Sequence, residues 1–329
     1  MLRASRVLSV LCALAVAGCA TVPARFVAQT PTPLPPGLAA YYDYPDHAPK
    51  AAVEPVKRRR AWTESLVRFP LSVPEGLTPT EPTVEFEWFE TTQPGRRAAI
   101  VFHPILGGDY PLERGVCRYL AQQGFHVALV HRKTLKIPPE REVAYLELLL
   151  RQGVLRIRQV VDWMARQERV DPDRLGSFGI SMGGIATVLA AAVEPRLRAH
   201  VAALPGGGIA DILASSNDSL LTKPLNKYLA HHRMNKKTLE QQLRAALKTD
   251  PILLAPYVPT DRFLMFIAVA DRTIGYRNSM RLWEALGRPK SVLLPFGHYT
   301  AYLALPYLKY ASRRFFQKAL SVDEQTAYN

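Results

Sequence analysis

Gly179-Ile180-Ser181-Met182-Gly183-Gly184 places a serine between two glycines in the pattern G-x-S-x-G. The apolar run 175–180 leads into it, and the helix-forming stretch 185–192 leads out. A sharp strand-to-helix turn there forces the serine into a strained backbone conformation and projects its Oγ. Glycines at 179 and 183 let strand and helix approach closely. Amides at the start of the new helix then face any negative charge that develops beside the serine. The chemistry this favours is nucleophilic attack on an acyl carbon. A serine needs a base for that, and the base needs an orienting acid.

Both partners belong at the ends of later strands, acid before histidine. The run 263–269 ends in Ala270-Asp271-Arg272-Thr273, which puts Asp271 at a strand end. The run 292–294 ends in Pro295-Phe296-Gly297-His298-Tyr299, which puts His298 on the next one. In that arrangement His298 takes the Ser181 proton, and Asp271 fixes the tautomer and stabilises the imidazolium. The plainer readings are a helix cap for Asp271 and a turn histidine for His298. Asp211 is the reserve acid. An oxyanion hole needs two N–H groups: Met182 supplies one, and the loop His103-Pro104-Ile105-Leu106-Gly107-Gly108 supplies the other. Pro104 has no N–H, so Ile105 is the first candidate and Leu106 the second. His103 is expected to brace that loop. His126, His131, His200, His231 and His232 lie where the serine has no use for them and read as structural or solvated.

The elements that must carry these turns are visible as periodicity. Val84, Phe86 and Trp88 alternate with Glu85 and Glu87, the signature of a half-buried strand. The run 98–102 is wholly apolar, as in a strand covered on both faces. Further runs at 126–130, 175–180, 199–204, 263–269 and 292–294 alternate with helical segments at 111–123, 141–167, 182–192, 274–286 and 299–319. Strand and helix in alternation predict an α/β fold: a doubly wound, mostly parallel sheet over residues 62–329. Residues 205–259 interrupt the alternation. Leu239, Leu243 and Leu247 recur at helical spacing there, and Asn235 suits a cap. A helical lid over the strand ends, forming a wall of the substrate pocket, is the expectation. Tyr110, Tyr228 and Tyr299 are candidates to line that pocket. Asn217-Asp218-Ser219 matches a glycosylation pattern and is discounted.

With these residues in place, the chain resembles the α/β-hydrolase superfamily over about residues 80–320. The GISMGG, VADRT, FGHYT and HPILGG segments carry the resemblance. Val170-Asp171-Pro172-Asp173-Arg174 is similar to the dienelactone-hydrolase, acetyl-esterase and prolyl-oligopeptidase branches. The resemblance implies a Ser-His-Asp hydrolase of esters, thioesters or amides that uses no metal or organic cofactor. One departure is His-Pro where the oxyanion loop usually has His-Gly, which bears on which amide donates. Peptidase or acyltransferase activity on the same fold, or a non-catalytic lipoprotein that uses the fold for binding, are the alternatives.

The N-terminus reads as an address. Arg3 and Arg6 precede the apolar stretch 7–17, which is too short to span a bilayer. Val16-Ala17-Gly18-Cys19 resembles the lipobox of bacterial lipoproteins. That resemblance implies removal of residues 1–18 and lipidation of Cys19. With Ala20 next, it also implies an outer-membrane destination if the source is Gram-negative. Eight prolines between residues 21 and 60 predict a semi-rigid tether over 19–61, with packing of Tyr41-Tyr42-Asp43-Tyr44 onto the domain as the alternative. The 42 Lys and Arg outnumber the 28 Asp and Glu across 329 residues. The densest cluster, Lys57-Arg58-Arg59-Arg60, suits either solvent or an anionic membrane. Basic-plus-aromatic motifs for nucleic acid are missing. Three cysteines make neither a disulfide framework nor a zinc site.

Overall fold

The apolar runs become the strands of one sheet. In the computed structural model, residues 20–21, 31–45, 50–107, 109–132, 135 and 137–321 are described. The strands are β1 (Ala20–Thr21), β2 (Ala52–Arg58), β3 (Trp62–Pro70), β4 (Thr83–Thr91), β5 (Arg97–His103), β6 (His126–Val130), β7 (Val170–Ile180), β8 (Leu197–Ala203), β9 (Phe263–Ala268) and β10 (Lys290–Leu294). Their order is β1-β10-β9-β8-β7-β5-β6-β4-β3-β2. Pairing is parallel from β10 through to β6 and antiparallel outside that block. The mostly parallel, doubly wound sheet expected from the alternation is the fold observed.

Parallel strands need cover on both faces. Helices α2 (Pro111–Gln122) and α10 (Leu305–Ala319) supply one layer, with Val116, Leu120, Leu308 and Phe316 packed on Phe102, Phe178 and Phe266. Helices α3 (Ala144–Ala165), α4 (Met182–Val193) and α9 (Tyr276–Ala285) supply the other, through residues such as Leu155, Val188, Val160 and Trp283. Ile100 and Val101, neighbours on β5, point into opposite layers and are both fully buried.

The insertion holds α5 (Ile209–Ser215), α6 (Ser219–His231), α7 (Lys236–Ala246) and the single turn α8 (Pro251–Leu254). Asn235 accepts a hydrogen bond from the Thr238 amide and caps α7. Leu225, Tyr228, Leu239 and Leu243 form a small core with Val143, Leu146 and Leu150 at the start of α3. The insertion is therefore welded to the sheet domain rather than appended to it.

One expectation is corrected. Glu87, read as solvent-facing, is buried because Arg114 and His131 both bind its carboxylate. Burial lowers the His131 pKa, but its hydrogen bonds to Glu87 and Glu85 outweigh this and hold it above the usual value. In the described part of the 19–61 segment the alternative reading applies: the Tyr41–Tyr44 stretch packs onto the domain. Residues 36–41 form a short helix, α1, and Tyr42 is fully buried, its hydroxyl on Thr249 at 2.8 Å. Tyr41 donates to Glu147 and Tyr44 to Asp162. Three tyrosines bring more apolar area than the prolines can keep off the surface. Lys57 and Arg58 end β2, and Lys57 to Arg60 are all exposed. The signal segment 1–18 and Cys19 lie outside the described residues. Among those described, no helix is long and apolar enough to cross a membrane.

Candidate active site

Ser181 sits between β7 and α4 at φ 57° and ψ −118°, a left-handed backbone that a residue with a Cβ adopts only when its surroundings enforce it. The Ser181 amide donates to the Ala203 carbonyl of β8, and its carbonyl accepts from Ile185, so both sides of the turn are pinned. The flanking glycines are required by contact. A Cβ on Gly179 would lie 2.0 Å from the Gly183 carbonyl oxygen, and one on Gly183 2.0 Å from the His103 carbonyl oxygen. Gly183→Ala should therefore force backbone apart. We expect a loss of about 3 kcal/mol of stability and roughly 5–10 °C in Tm, measurable by differential scanning calorimetry. An unshifted Tm would show that the turn is looser than the contacts indicate.

The three residues expected to act together meet at one point. Ser181 Oγ and His298 Nε2 are 2.8 Å apart, and His298 Nδ1 and Asp271 Oδ2 are 2.7 Å apart. A carboxylate only accepts, so Nδ1 carries the proton and Nε2 is left as the acceptor for the serine hydroxyl. Asp271 Oδ1 accepts the amides of Thr273 and Ile274, at 2.9 Å each. The Asp271 side chain is 1% exposed and that of His298 9%. Burial and two backbone donors keep the carboxylate in one orientation, and through it the imidazole. Asp211, the reserve acid, is elsewhere: it pairs with Arg244 and Arg281.

The oxyanion loop departs from expectation. Met182 opens α4 and lines the cavity beside Ser181, so its N–H, which has no intrahelical acceptor, stays the first candidate donor. The Ile105 N–H is already committed, donating to Glu113 Oε1 at 3.0 Å. Glu113 is fully buried on α2, and a buried carboxylate takes the nearest amide. Arg132 donates to the Ile105 carbonyl at 2.6 Å and fixes the same peptide segment from the other side. Ile105 is thus a brace, and Leu106 takes its place as the loop's candidate donor. The His103 ring is buried, and its pKa is driven down to about 3 by desolvation first and then by Arg132 and His200. It is neutral near pH 7. Among the described residues no other histidine is bonded to the serine: His126 binds the Arg169 carbonyl, His200 binds Ser177, and His232 binds the Pro139 carbonyl.

Ser181 and His298 open into a cavity of about 550 Å³ between the sheet and the insertion. Its wall is mostly aliphatic, including Leu112 of α2, Leu146 of α3, Leu213 and Leu225 of the insertion, and Leu308 of α10. Tyr228 and Tyr299 line it as expected, whereas Tyr110 instead donates its hydroxyl proton to the Arg132 carbonyl. Asp218 was not anticipated. It caps α6 by accepting from the Leu220 amide, and it also accepts from Thr273 Oγ1 and the Tyr299 hydroxyl. One carboxylate thereby ties the insertion to the turns that carry Asp271 and His298. Among the described residues no cluster of His, Cys, Asp or Glu is suited to hold a metal ion.

Comparison with known proteins follows the same lines. Residues 142–294 match the family model of the prolyl oligopeptidase family, a span that includes Ser181 and Asp271 and stops short of His298. Two uncharacterized proteins of Mycobacterium tuberculosis, from strains CDC 1551 and H37Rv, are each 29% identical over 170 residues. That match takes in 51% of this chain but only 37% of the length of those relatives. Among solved structures, acetyl xylan esterase 1 from Thermoanaerobacterium aligns with a TM-score of 0.65 at 17% identity, over 89% of this chain and 97% of its own. An acetyl xylan esterase from Paenibacillus gives 0.63 at 18%, over 83% and 90%. A cold-adapted esterase from an Arctic intertidal metagenomic library gives 0.54 at 13%, over 80% and 97%. At such identities the likeness speaks for the fold.

Proposed function

We propose that this chain, which has the α/β-hydrolase fold, is a membrane-anchored serine hydrolase that cleaves carboxylic esters with long apolar acyl groups. One observation carries the reading: a Ser181–His298–Asp271 relay at hydrogen-bond distances opens into a mostly aliphatic cavity of about 550 Å³. That volume lies within the range of about 300–1,000 Å³ usual for sites that enclose a ligand. In the reaction, His298 Nε2 accepts the Ser181 proton as Oγ attacks the acyl carbon. The Met182 N–H, with that of Leu106, receives the charge on the carbonyl oxygen. His298 then returns the proton to the departing alcohol, leaving the acyl group on Ser181. Water activated by the same imidazole hydrolyses the acyl-enzyme.

The names of the structural neighbours favour ester chemistry, and the cavity favours acyl groups longer than acetyl. The lipobox-like segment ending at Cys19 supports anchoring to a membrane of the cell envelope. Lys57, Arg58, Arg59 and Arg60 are exposed and available to anionic headgroups.

A series of p-nitrophenyl esters of increasing chain length tests the acyl preference. Each CH₂ transferred into the cavity is worth about 0.8 kcal/mol, so kcat/KM should rise up to about fourfold per methylene until the cavity is full. A flat series, or one that is best at acetate, would remove the cavity from the argument. Amide analogues turned over as fast as the esters would favour the peptidase alternative.

A further inference from the structure

The outer surface of the insertion is unlike the cavity behind it. Between Ser219 and Thr238 there are five Lys or Arg and no Asp or Glu. Lys223, Lys227, Arg233, Lys236 and Lys237 are all exposed. Among the described residues, the ion pairs of α6 and α7 are confined to Arg244 with Asp211 and Glu240. Leu220, Lys223 and Lys227 recur three and four apart, so they share the outward face of α6.

Leu220 is 46% exposed and also lines the cavity, which places it at the mouth. Tyr299 and Tyr302 do the same at 63% and 62% exposure, and Leu303 beside them is 49% exposed. Asp218 joins these pieces into one rim, because the Leu220 amide, Tyr299 hydroxyl and Thr273 hydroxyl all donate to it. Arg272, exposed and next to Thr273, adds a further cation. A single exposed leucine or tyrosine is ordinary; three at the mouth of an apolar cavity, with exposed Leu303 next to them in sequence and exposed cations on the same insertion, form a patch with a purpose.

We propose that this rim is a docking surface for an anionic lipid surface. The rim's apolar groups enter the interfacial layer, where tyrosine rings are favoured, and the lysines of α6 meet anionic headgroups. The acyl chain of an ester held in that layer then passes into the cavity without crossing water. This last step rests on the ester reading above; the docking itself does not. The surface is distinct from Lys57–Arg60. Those residues lie at the end of the edge strand β2 and just beyond it, at the far end of the sheet order from β10, which leads to His298.

The test is co-sedimentation of the full chain carrying Cys19→Ser, so that no lipid anchor contributes. Vesicles are of phosphatidylcholine alone or of phosphatidylcholine with phosphatidylglycerol. The chain should partition onto the anionic vesicles at least about tenfold better, and salt should erase the difference. Lys223→Glu with Lys227→Glu should abolish that preference while leaving hydrolysis of a water-soluble short ester unchanged. Lys57→Glu with Arg58→Glu should weaken the preference far less than the changes at 223 and 227, and Tyr302→Ser should weaken binding to both vesicles. Equal partitioning of the parent chain onto both vesicles would overturn the proposal. So would loss of the preference on changing residues 57 and 58 but not 223 and 227. A concentration-dependent dimer dissolved by the Lys223 and Lys227 changes would assign the rim to a second copy of the chain instead. Vesicle binding without turnover of any soluble ester would sink the ester reading and leave the docking surface standing.

Discussion

Ser181→Ala is expected to lower ester turnover by on the order of 10⁴–10⁶ in kcat, since members of such a relay act as a unit. The change deletes one oxygen at a half-buried position and leaves the left-handed backbone of the turn as it was. Tm should therefore stay within about one degree of the parent, which separates a chemical loss from an unfolded protein. A fluorophosphonate probe gives the second readout. It should label the parent chain covalently and leave the alanine variant unlabelled, because Ser181 Oγ is the one hydroxyl bonded to His298 Nε2 among the described residues. Equal labelling of both chains would place the nucleophile elsewhere. Residual turnover near the parent's would do the same.

The same serine shows why so much of the site could be read from the chain alone. A nucleophile turn is a local structure: strand, glycine, serine, glycine and helix are contiguous, and the clash that excludes a Cβ at 179 follows from that contiguity, while the one at 183, against the His103 carbonyl, comes from the neighbouring strand β5. Asp271 and His298 were legible for a related reason, since parallel strands deliver their C-terminal ends to one edge and each residue follows such a strand. Glu113 was not legible. Its capture of the Ile105 amide depends on α2 packing its buried face against the end of β5, a contact no local pattern encodes. Glu87 failed likewise: alternation placed it outward, but the partners that let it stay buried, Arg114 and His131, come from separate elements. Asp218 hid in a stretch that matched a glycosylation pattern, although Asp directly before Ser219-Leu220 is also a helix N-cap, and that signal was available. For the 19–61 segment composition left two readings open, a proline-stiffened tether or tyrosines packed on the domain, and the buried Tyr42 with its hydrogen bond to Thr249 decides where the described part of that chain lies.

Asp271→Asn is the sharper test of how the relay works, because it preserves shape and removes only the charge and one acceptor. In the parent, Oδ1 accepts two amides and Oδ2 accepts the His298 Nδ1 proton. Asparagine has one oxygen and one NH₂, and it must choose between these partners. If its oxygen stays with the amides of Thr273 and Ile274, the NH₂ faces Nδ1. The imidazole must then accept there and carry its proton on Nε2, against Ser181. In that tautomer it cannot remove the serine proton, and kcat should fall by about 10⁴. If the amide flips instead, two buried backbone donors lose their acceptor and meet an NH₂, at a cost of about 1–3 kcal/mol each in stability. Two backbone donors outnumber one imidazole, so the first arrangement should prevail: a large loss in kcat with little change in KM or Tm. Asp211→Asn is the control, since Asp211 pairs with Arg244 and Arg281 away from the relay, and it should leave kcat within about twofold. Were the Asp271 variant to keep its kcat and the Asp211 variant to lose it, the acid of the relay would have to be reassigned.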